Sequence, residues 1–264
     1  MPEGHSIRHF ANVHYQFLGE TAIRASSPQG RFSEEAERID GLTFKKPTTH
    51  GKHLFFHFDD QIVHVHLGLY GWFTVTRRPQ DTDKDTIRLK LENDVCTSRL
   101  TAPTKCELIT QDKMESIISR LGPDPLLDDS DPRFAWDKIH TSKKTIASLL
   151  MNQSVIAGIG NVYRAEILHR CQINPYLLGN ELSYDKFMEI WDDARYLLRI
   201  GSVSGRIRTV PNDFLTEKER EVGGHAQFTY VYKRTEQPCR VCRTIVAQAE
   251  VDGRTLYWCQ TCQK

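Results

Sequence analysis

The sequence predicts an α+β protein of several parts: a β-rich N-terminal half built as two antiparallel layers, a helical middle, and a small metal-held β-hairpin at the C-terminus. Three observations predict it. From about residue 41 to 110 apolar residues recur with period two, and beyond the proline-rich stretch LGPDPLLDDSDP (121–132) the period becomes 3.6. The third is the crowding of Cys239, Cys242, Cys259 and Cys262 into the end of the chain as two C-x-x-C pairs. The 264 residues are 39% hydrophobic with mean hydropathy −0.49, which excludes disordered and fibrous classes. No run reaches the roughly 18 apolar residues of a membrane span, and MPEGHSIRHF lacks the basic-then-apolar pattern of a secretory signal, so the expected compartment is the cytoplasm. A formal net charge of +1 does not by itself announce a polyanion binder. Any such surface must be local, and basic residues outnumber acidic ones in 201–264 while 111–140 is acidic.

The elements follow in order. Ile7, Phe10 and Ala11, then 16–18, fall at helical spacing with Gly19 as a stop. KHLFFHF (52–58), IVHVHL (62–67), WFTVT (72–76) and TIRLKLE (86–92) read as short strands separated by Asp59-Asp60, by Gly68 or Gly71, and by 79–85. After the boundary at 121–132, Ser142 can cap a helix through Ile146, Leu149 and Leu150, and VYRAEILHR (162–170) makes another. Ser183 opens a long helix that should end before Gly201. Residues 202–228 have no periodicity and are expected to form a long loop, mobile until a ligand arrives. Domains are therefore expected at 1–122, 123–229 and 230–264.

The strongest chemical signal is Cys239-x2-Cys242-x16-Cys259-x2-Cys262. Two thiolate knuckles complete a tetrahedron, and four sulfur ligands leave no open position, so one Zn²⁺ is expected to hold structure and not to hydrolyse. The intervening residues alternate like a hairpin turning at Asp252-Gly253, which puts Arg254 at the tip, where a guanidinium can meet a phosphate. Cys96, Cys106 and Cys171 are expected as small buried hydrophobes. The second signal is the terminus. Removal of Met1 before the small Pro2 leaves a secondary amine beside Glu3, able to form an iminium that acts as an electron sink. The third is QSVIAGIGNVYRAEILH (153–169), where Gly158, Gly160 and Asn161 precede a helix. That turn suits a phosphate, or equally a helix-packing turn with no ligand.

These residues converge on one family. Met-Pro-Glu-Gly at the start, Gly51-Lys52-His53-Leu54, His66-Leu67-Gly68, Leu121-Gly122-Pro123-Asp124-Pro125-Leu126, Gly158-Ile159-Gly160-Asn161-Val162-Tyr163, Val231-Tyr232-Lys233-Arg234 and Gly253-Arg254 occur in that order. The chain resembles, end to end, the formamidopyrimidine-DNA glycosylase and endonuclease VIII family, most closely its actinobacterial endonuclease VIII branch. The resemblance implies an N-terminal two-layer β-sandwich, a helix-two-turn-helix domain and a four-cysteine zinc-finger β-hairpin. It also implies a bifunctional DNA glycosylase and abasic-site lyase of base excision repair, a monomer acting on damaged DNA, duplex or single-stranded, in a bacterial cytoplasm and nucleoid. By position, Pro2 would be the nucleophile and Glu3 the adjacent acid/base. Lys52, at the start of a strand, would meet the lesion phosphate and assist elimination, with Asn161 and Arg254 as phosphate ligands. His66 and Tyr232 are expected at the DNA.

Two departures set expectations of their own. Leu69 and Tyr70 stand where the formamidopyrimidine branch has a methionine, 98–107 lacks an Arg-x-Phe pair, and Gly68 stands where the endonuclease VIII branch carries a glutamine. Leu69 and Tyr70 then act as the wedge, and oxidised pyrimidines are the expected lesions. Lys233 sits where glycine is common. His53, His57, His64 and His66 share strand faces and suggest a second metal, yet no carboxylate recurs beside them at ligand spacing, and hydrogen-bonded histidines are expected. A non-catalytic zinc-hairpin DNA-binding protein is the alternative, disfavoured because a pure binder has no use for Pro2, Glu3, Lys52 and Arg254 together. A histidine-metal hydrolase is the third.

Overall fold

A computed structural model describes residues 2–77, 84–215, 217 and 228–264. Its contacts divide the chain into two compact units, Met1–Arg120 and Leu121–Lys264. In the first, helix α1 (Gly4–Leu18) leads into β1 (Arg24–Ser26), α2 (Ser33–Ile39), β2 (Thr48–His50), β3 (His53–Phe58), β4 (Gln61–His66), β5 (Trp72–Arg77), β6 (Ile87–Glu92), β7 (Cys96–Thr101), β8 (Lys105–Ile109) and α3 (Gln111–Ile118). Two four-stranded sheets form, β1-β6-β7-β5 and β2-β3-β4-β8, and every neighbouring pair in them is antiparallel. The expected two-layer sandwich is thus present. Its interior is aromatic: Phe10, Phe44, Phe56, Phe58 and Phe73 pack with Leu54, Val63, Val65, Leu89 and Leu91. Each such side chain contributes roughly 1.5–3 kcal/mol on burial.

Helix α1 belongs to this core through Ile7, Phe10, Ala11 and Leu18, and it ends at Gly19, whose N–H bonds to Tyr15 O. Between Phe10 and Leu18 it buries His14 against Phe56 and Phe73. Ring nitrogen Nδ1 donates to Phe10 O at 2.6 Å; burial lowers the pKa to about 4, so the ring is neutral and Nε2, 2.7 Å from Ser98 Oγ, accepts. Several elements escaped the sequence reading: β7, which is buried on both faces and so shows no alternation, β8, α3 and the helix Arg133–Ile139, whose apolar residues are few, and β1, β2 and α2, which are short. β1 and β2 have three residues each, and seven-residue α2 buries only Ala36 and Ile39.

The second unit contains α4 (Arg133–Ile139), α5 (Ile146–Met151), α6 (Asn161–Arg170), α7 (Tyr184–Ser204) and a hairpin of β9 (Ala247–Val251) and β10 (Arg254–Trp258). One core joins them, with Phe187, Ile190, Trp191, Ala194, Leu197 and Leu198 of α7 facing Tyr163, Ile167 and Leu168 of α6. Two boundaries differ from expectation. The cap of α5 is Thr145, whose hydroxyl accepts Ser148 N–H at 3.3 Å; Ser142 lies a turn too early and instead accepts Lys144 N–H. Ser183 does cap α7, but the helix runs through Gly201 to Ser204, because the left-handed residue that stops it is Gly205 at φ 69°. Residues 202–204 of the expected loop are therefore helical. The loop's ends are pinned by Thr209 and Val210 N–H to Phe228 O, and positions 216 and 218–227, where mobility was expected, lie outside the described residues.

The outlying cysteines are buried as expected. Burial pushes the thiols of Cys96 and Cys171 up to about 11 and about 12, and that of Cys106 higher still. Among the described residues no helix is long and apolar enough to cross a membrane.

Candidate active site and zinc centre

Pro2 lies buried immediately before the N-cap of α1, which is Glu3. The Glu3 carbonyl accepts Ser6 N–H at 2.9 Å and Ile7 N–H at 3.4 Å, so the helix fixes the backbone that carries both residues, and the Glu3 side chain is fully enclosed. Lys52 is displaced from the expected strand start. His50 pairs with His53, leaving Gly51-Lys52 as a two-residue hairpin turn with Gly51 at φ 57°, the geometry that such turns demand of their first position. Lys52 thus stands on a turn tip. Its charge bears on His66, whose pKa is lowered to about 4 chiefly by burial and further by His64 and Lys52.

The histidines bond to one another. His64 Nδ1 faces Glu107 Oε1 at 3.0 Å, so it donates, which leaves Nε2 to accept from His53 Nδ1 at 3.0 Å. The two rings stack at 5.2 Å, and His53 meets His66 edge-on at 4.9 Å. His66 Nδ1 accepts Gly68 N–H at 3.2 Å, placing its proton on Nε2. His57 is apart, bonded to Thr48 Oγ1. Among the described residues the four cysteines are the only group of three or more ligand-type side chains gathered closely enough to hold a metal ion.

Leu69 and Tyr70 form the tip of the turn between β4 and β5, 46% and 83% exposed. The frame beneath them is tight. Gly68 adopts φ 67°, and a Cβ there would lie 1.8 Å from Thr104 Oγ1, which explains why glutamine is absent from this position. Gly71 N–H closes the turn on Leu67 O at 2.9 Å.

In the second unit α6 organises the remaining residues. Asn161, 7% exposed, donates Nδ2–H to Thr255 O at 2.9 Å, and Arg164 bonds both its Oδ1 and Thr255 O. The helix start is thereby joined to the residue after Arg254, which is exposed where β10 leaves the Asp252-Gly253 turn. Tyr232 is buried, its ring edge-on to Tyr257 at 5.2 Å, so it supports this face from within. Lys233 has φ 55°, which is why glycine suits that position.

Sequence reasoning missed the residue that shapes the approach to the hairpin. Glu166, fully buried, accepts N–H from Tyr230 (2.6 Å), Val231 (2.9 Å) and Tyr232 (2.9 Å) and the Thr209 hydroxyl (2.5 Å). Arg234 ties the same segment through Tyr230 O at 2.6 Å and Pro238 O at 3.0 Å. The signal available was a carboxylate on the apolar face of VYRAEIL.

The four cysteine sulfurs lie within 4.8 Å of one another, with Cys239–Cys262 at 3.9 Å and Cys242–Cys259 at 3.3 Å. A tetrahedron with Zn–S bonds of about 2.3 Å has edges of about 3.8 Å, so the set fits one structural zinc.

Comparison with known proteins agrees with this geometry. Residues 1–105 match the formamidopyrimidine-DNA glycosylase N-terminal domain, 121–209 the formamidopyrimidine-DNA glycosylase H2TH domain, and 236–264 the zinc finger found in FPG and IleRS. Endonuclease 8 1 of Mycobacterium tuberculosis is 38% identical over 275 residues, covering both chains in full. The formamidopyrimidine-DNA glycosylase of Cronobacter sakazakii is 28% identical over 100% of this chain and 99% of its own. In fold, the chain is similar to Lactococcus lactis Fpg solved with DNA containing an oxidized pyrimidine, at TM-score 0.81 and 22% identity over the whole of both chains. The three matched regions and the full-length relatives place the chain in the formamidopyrimidine-DNA glycosylase and endonuclease VIII family, the zinc-finger DNA glycosylases and abasic-site lyases of base excision repair.

Proposed function

We propose that Pro2, freed by removal of Met1, is the nucleophile of this glycosylase and lyase. The observation that carries the reading is the seating of Pro2 directly before the N-cap of α1, next to a fully enclosed Glu3. The Pro2 amine attacks C1′ of a nucleotide turned out of the stack, since C1′ cannot be reached inside it. The glycosidic bond breaks and the damaged base leaves with the electron pair. Glu3 delivers a proton to the sugar ring oxygen, the ring opens, and an iminium joins Pro2 to C1′. Its positive charge acidifies the C2′ hydrogen. Loss of that proton expels the 3′ phosphate by β-elimination, and δ-elimination then expels the 5′ phosphate.

Lys52, on its turn tip, meets the lesion phosphate and assists elimination; Asn161 and Arg254 hold flanking phosphates, and His66 offers its Nε2–H to another. Tyr232 backs the Arg254 hairpin. Leu69 and Tyr70 enter the gap left by the flipped nucleotide. With no Arg-x-Phe pair in 98–107 to interrogate a cytosine opposite oxidised guanine, the preferred lesions are oxidised pyrimidines and abasic sites. The protein works as a cytoplasmic monomer on nucleoid DNA.

Borohydride reduction of the protein mixed with abasic-site DNA tests the central step. The expected result is a covalent adduct on the N-terminal peptide. Absence of an adduct from protein whose N-terminus is verified as proline would overturn it.

A further inference from the structure

We propose that His169 is an outer-sphere donor to the zinc site: its Nε2–H donates to the Cys239 thiolate and fastens the last turn of α6 to the metal. Nε2 lies 3.5 Å from Cys239 Sγ, a length suited to an N–H···S bond, and the two residues are 3% and 0% exposed. Chemistry fixes the direction. A zinc-bound thiolate has only lone pairs to offer, so the imidazole must be the donor and must carry its proton on Nε2. Nδ1 is buried and makes no hydrogen bond among the described residues, so nothing there recruits the other tautomer.

The ring is also held in plane. It stacks on Tyr230 at 5.0 Å and 24°, and Tyr230 is anchored by its N–H to Glu166 and by its carbonyl to Arg234. A second donor reaches the same sulfur, the Val241 N–H at 3.4 Å. Four thiolates around Zn²⁺ leave two negative charges in a protein interior, and each N–H aimed at a sulfur disperses part of that charge. Helix α6 therefore begins at Asn161, bonded beside Arg254, and ends at the metal that holds the Arg254 hairpin.

The test begins with the unaltered chain loaded with a spin-active cadmium isotope in place of zinc. Scalar coupling to cadmium is expected at both the Val241 amide proton and the His169 Nε2 proton; coupling at Val241 with none at His169 overturns the proposal. His169→Phe keeps the stacked ring and removes the donor. Its zinc affinity, read against a chromophoric chelator, should fall about tenfold, and the thiolate-to-cobalt charge-transfer band of the cobalt-loaded protein should shift. His169→Gln, whose amide N–H reaches the same place, should restore both. Zinc retention and a cobalt band in His169→Phe that match the parent, or equal loss in the Phe and Gln variants, overturn the bond. If His169→Phe loses helical circular dichroism, the cadmium coupling decides.

Discussion

The two units seat the residues proposed to meet DNA by opposite means. In Met1–Arg120, Pro2, Lys52, Leu69 and Tyr70 stand on a chain end and two turn tips, and beneath those tips lies an apolar sandwich in which the enclosed His14 is kept neutral. In Leu121–Lys264, Asn161 and Arg254 are held by directional bonds around α6, through Thr255, Glu166 and Arg234, and by four sulfurs. Apolar packing is spread over many contacts and degrades gradually. A hub of buried polar bonds and a metal fails when one member is removed, because each partner left behind keeps its desolvation cost.

The largest expected effect breaks the second unit alone. Cys259→Ser should release zinc and with it about 10 kcal/mol or more of coupled folding free energy. Amide protection should vanish in β9 and β10, weaken in α6 and persist in β3 and β4, while DNA affinity collapses. Loss of protection in β3 and β4 to the same degree would show that the contrast between the units is false.

Next is a change that spares both folds. Glu3→Gln should lower base excision by about 10² to 10⁴ while leaving strand cleavage at a preformed abasic site, since the aldehyde there already offers an electrophile. Equal loss of both activities would count against the acid role. Pro2→Gly, with a primary amine, should cripple excision at unchanged melting temperature.

Acid should act on the first unit through His14. Its pKa is about 4 in the folded chain against 6.5 when exposed, so the unfolded chain binds the proton more readily. The corresponding stability is complete above pH 6.5 and is lost as pH falls towards 4, on the order of 3 kcal/mol. Thermal melts across that window should lose part of their slope in His14→Gln, the remainder being carried by His53 and His66, whose pKa values are also lowered; an unchanged slope would remove His14 as a cause. The smallest effect concerns the wedge. Replacing Leu69 and Tyr70 by Ala should depress excision from duplex roughly tenfold, about 1.4 kcal/mol or a part of the few kcal/mol that a lost stacking step costs, and leave single-stranded substrates and the melting temperature alone. Equal losses on both DNA forms would refute gap filling.

What was legible in the sequence follows from range. The long elements, the Asp252-Gly253 turn and the cysteine quartet are written in local periodicity and spacing, and they appear where expected but for the later end of α7. The three-residue strands are too short to carry a period. Thr145 in place of Ser142 as a cap turns on a difference of three residues, and at Thr145 the chain is pinned by distant partners, through Ile146 N–H to Leu177 O and Gly179 N–H to Lys144 O. Glu166 was invisible for a deeper reason: its four donors come from residues 209 and 230–232, at separations no local pattern records. At the site, the positions of Pro2, Glu3 and Arg254 were readable, whereas the placement of Lys52 on a turn needed the pairing of His50 with His53.

The tip at Leu69 and Tyr70 divides two kinds of constraint between adjacent positions. Gly68 and Gly71 admit no side chain without collision, whereas between them Leu69 is about half exposed and Tyr70 mostly so. In the wedge role proposed above, substitution at 69 or 70 alters what is offered to a damaged duplex at little cost to folding. Lesion preference in such a scaffold can drift by single steps through a neutral neighbourhood of sequences, with the supporting glycines unchanged.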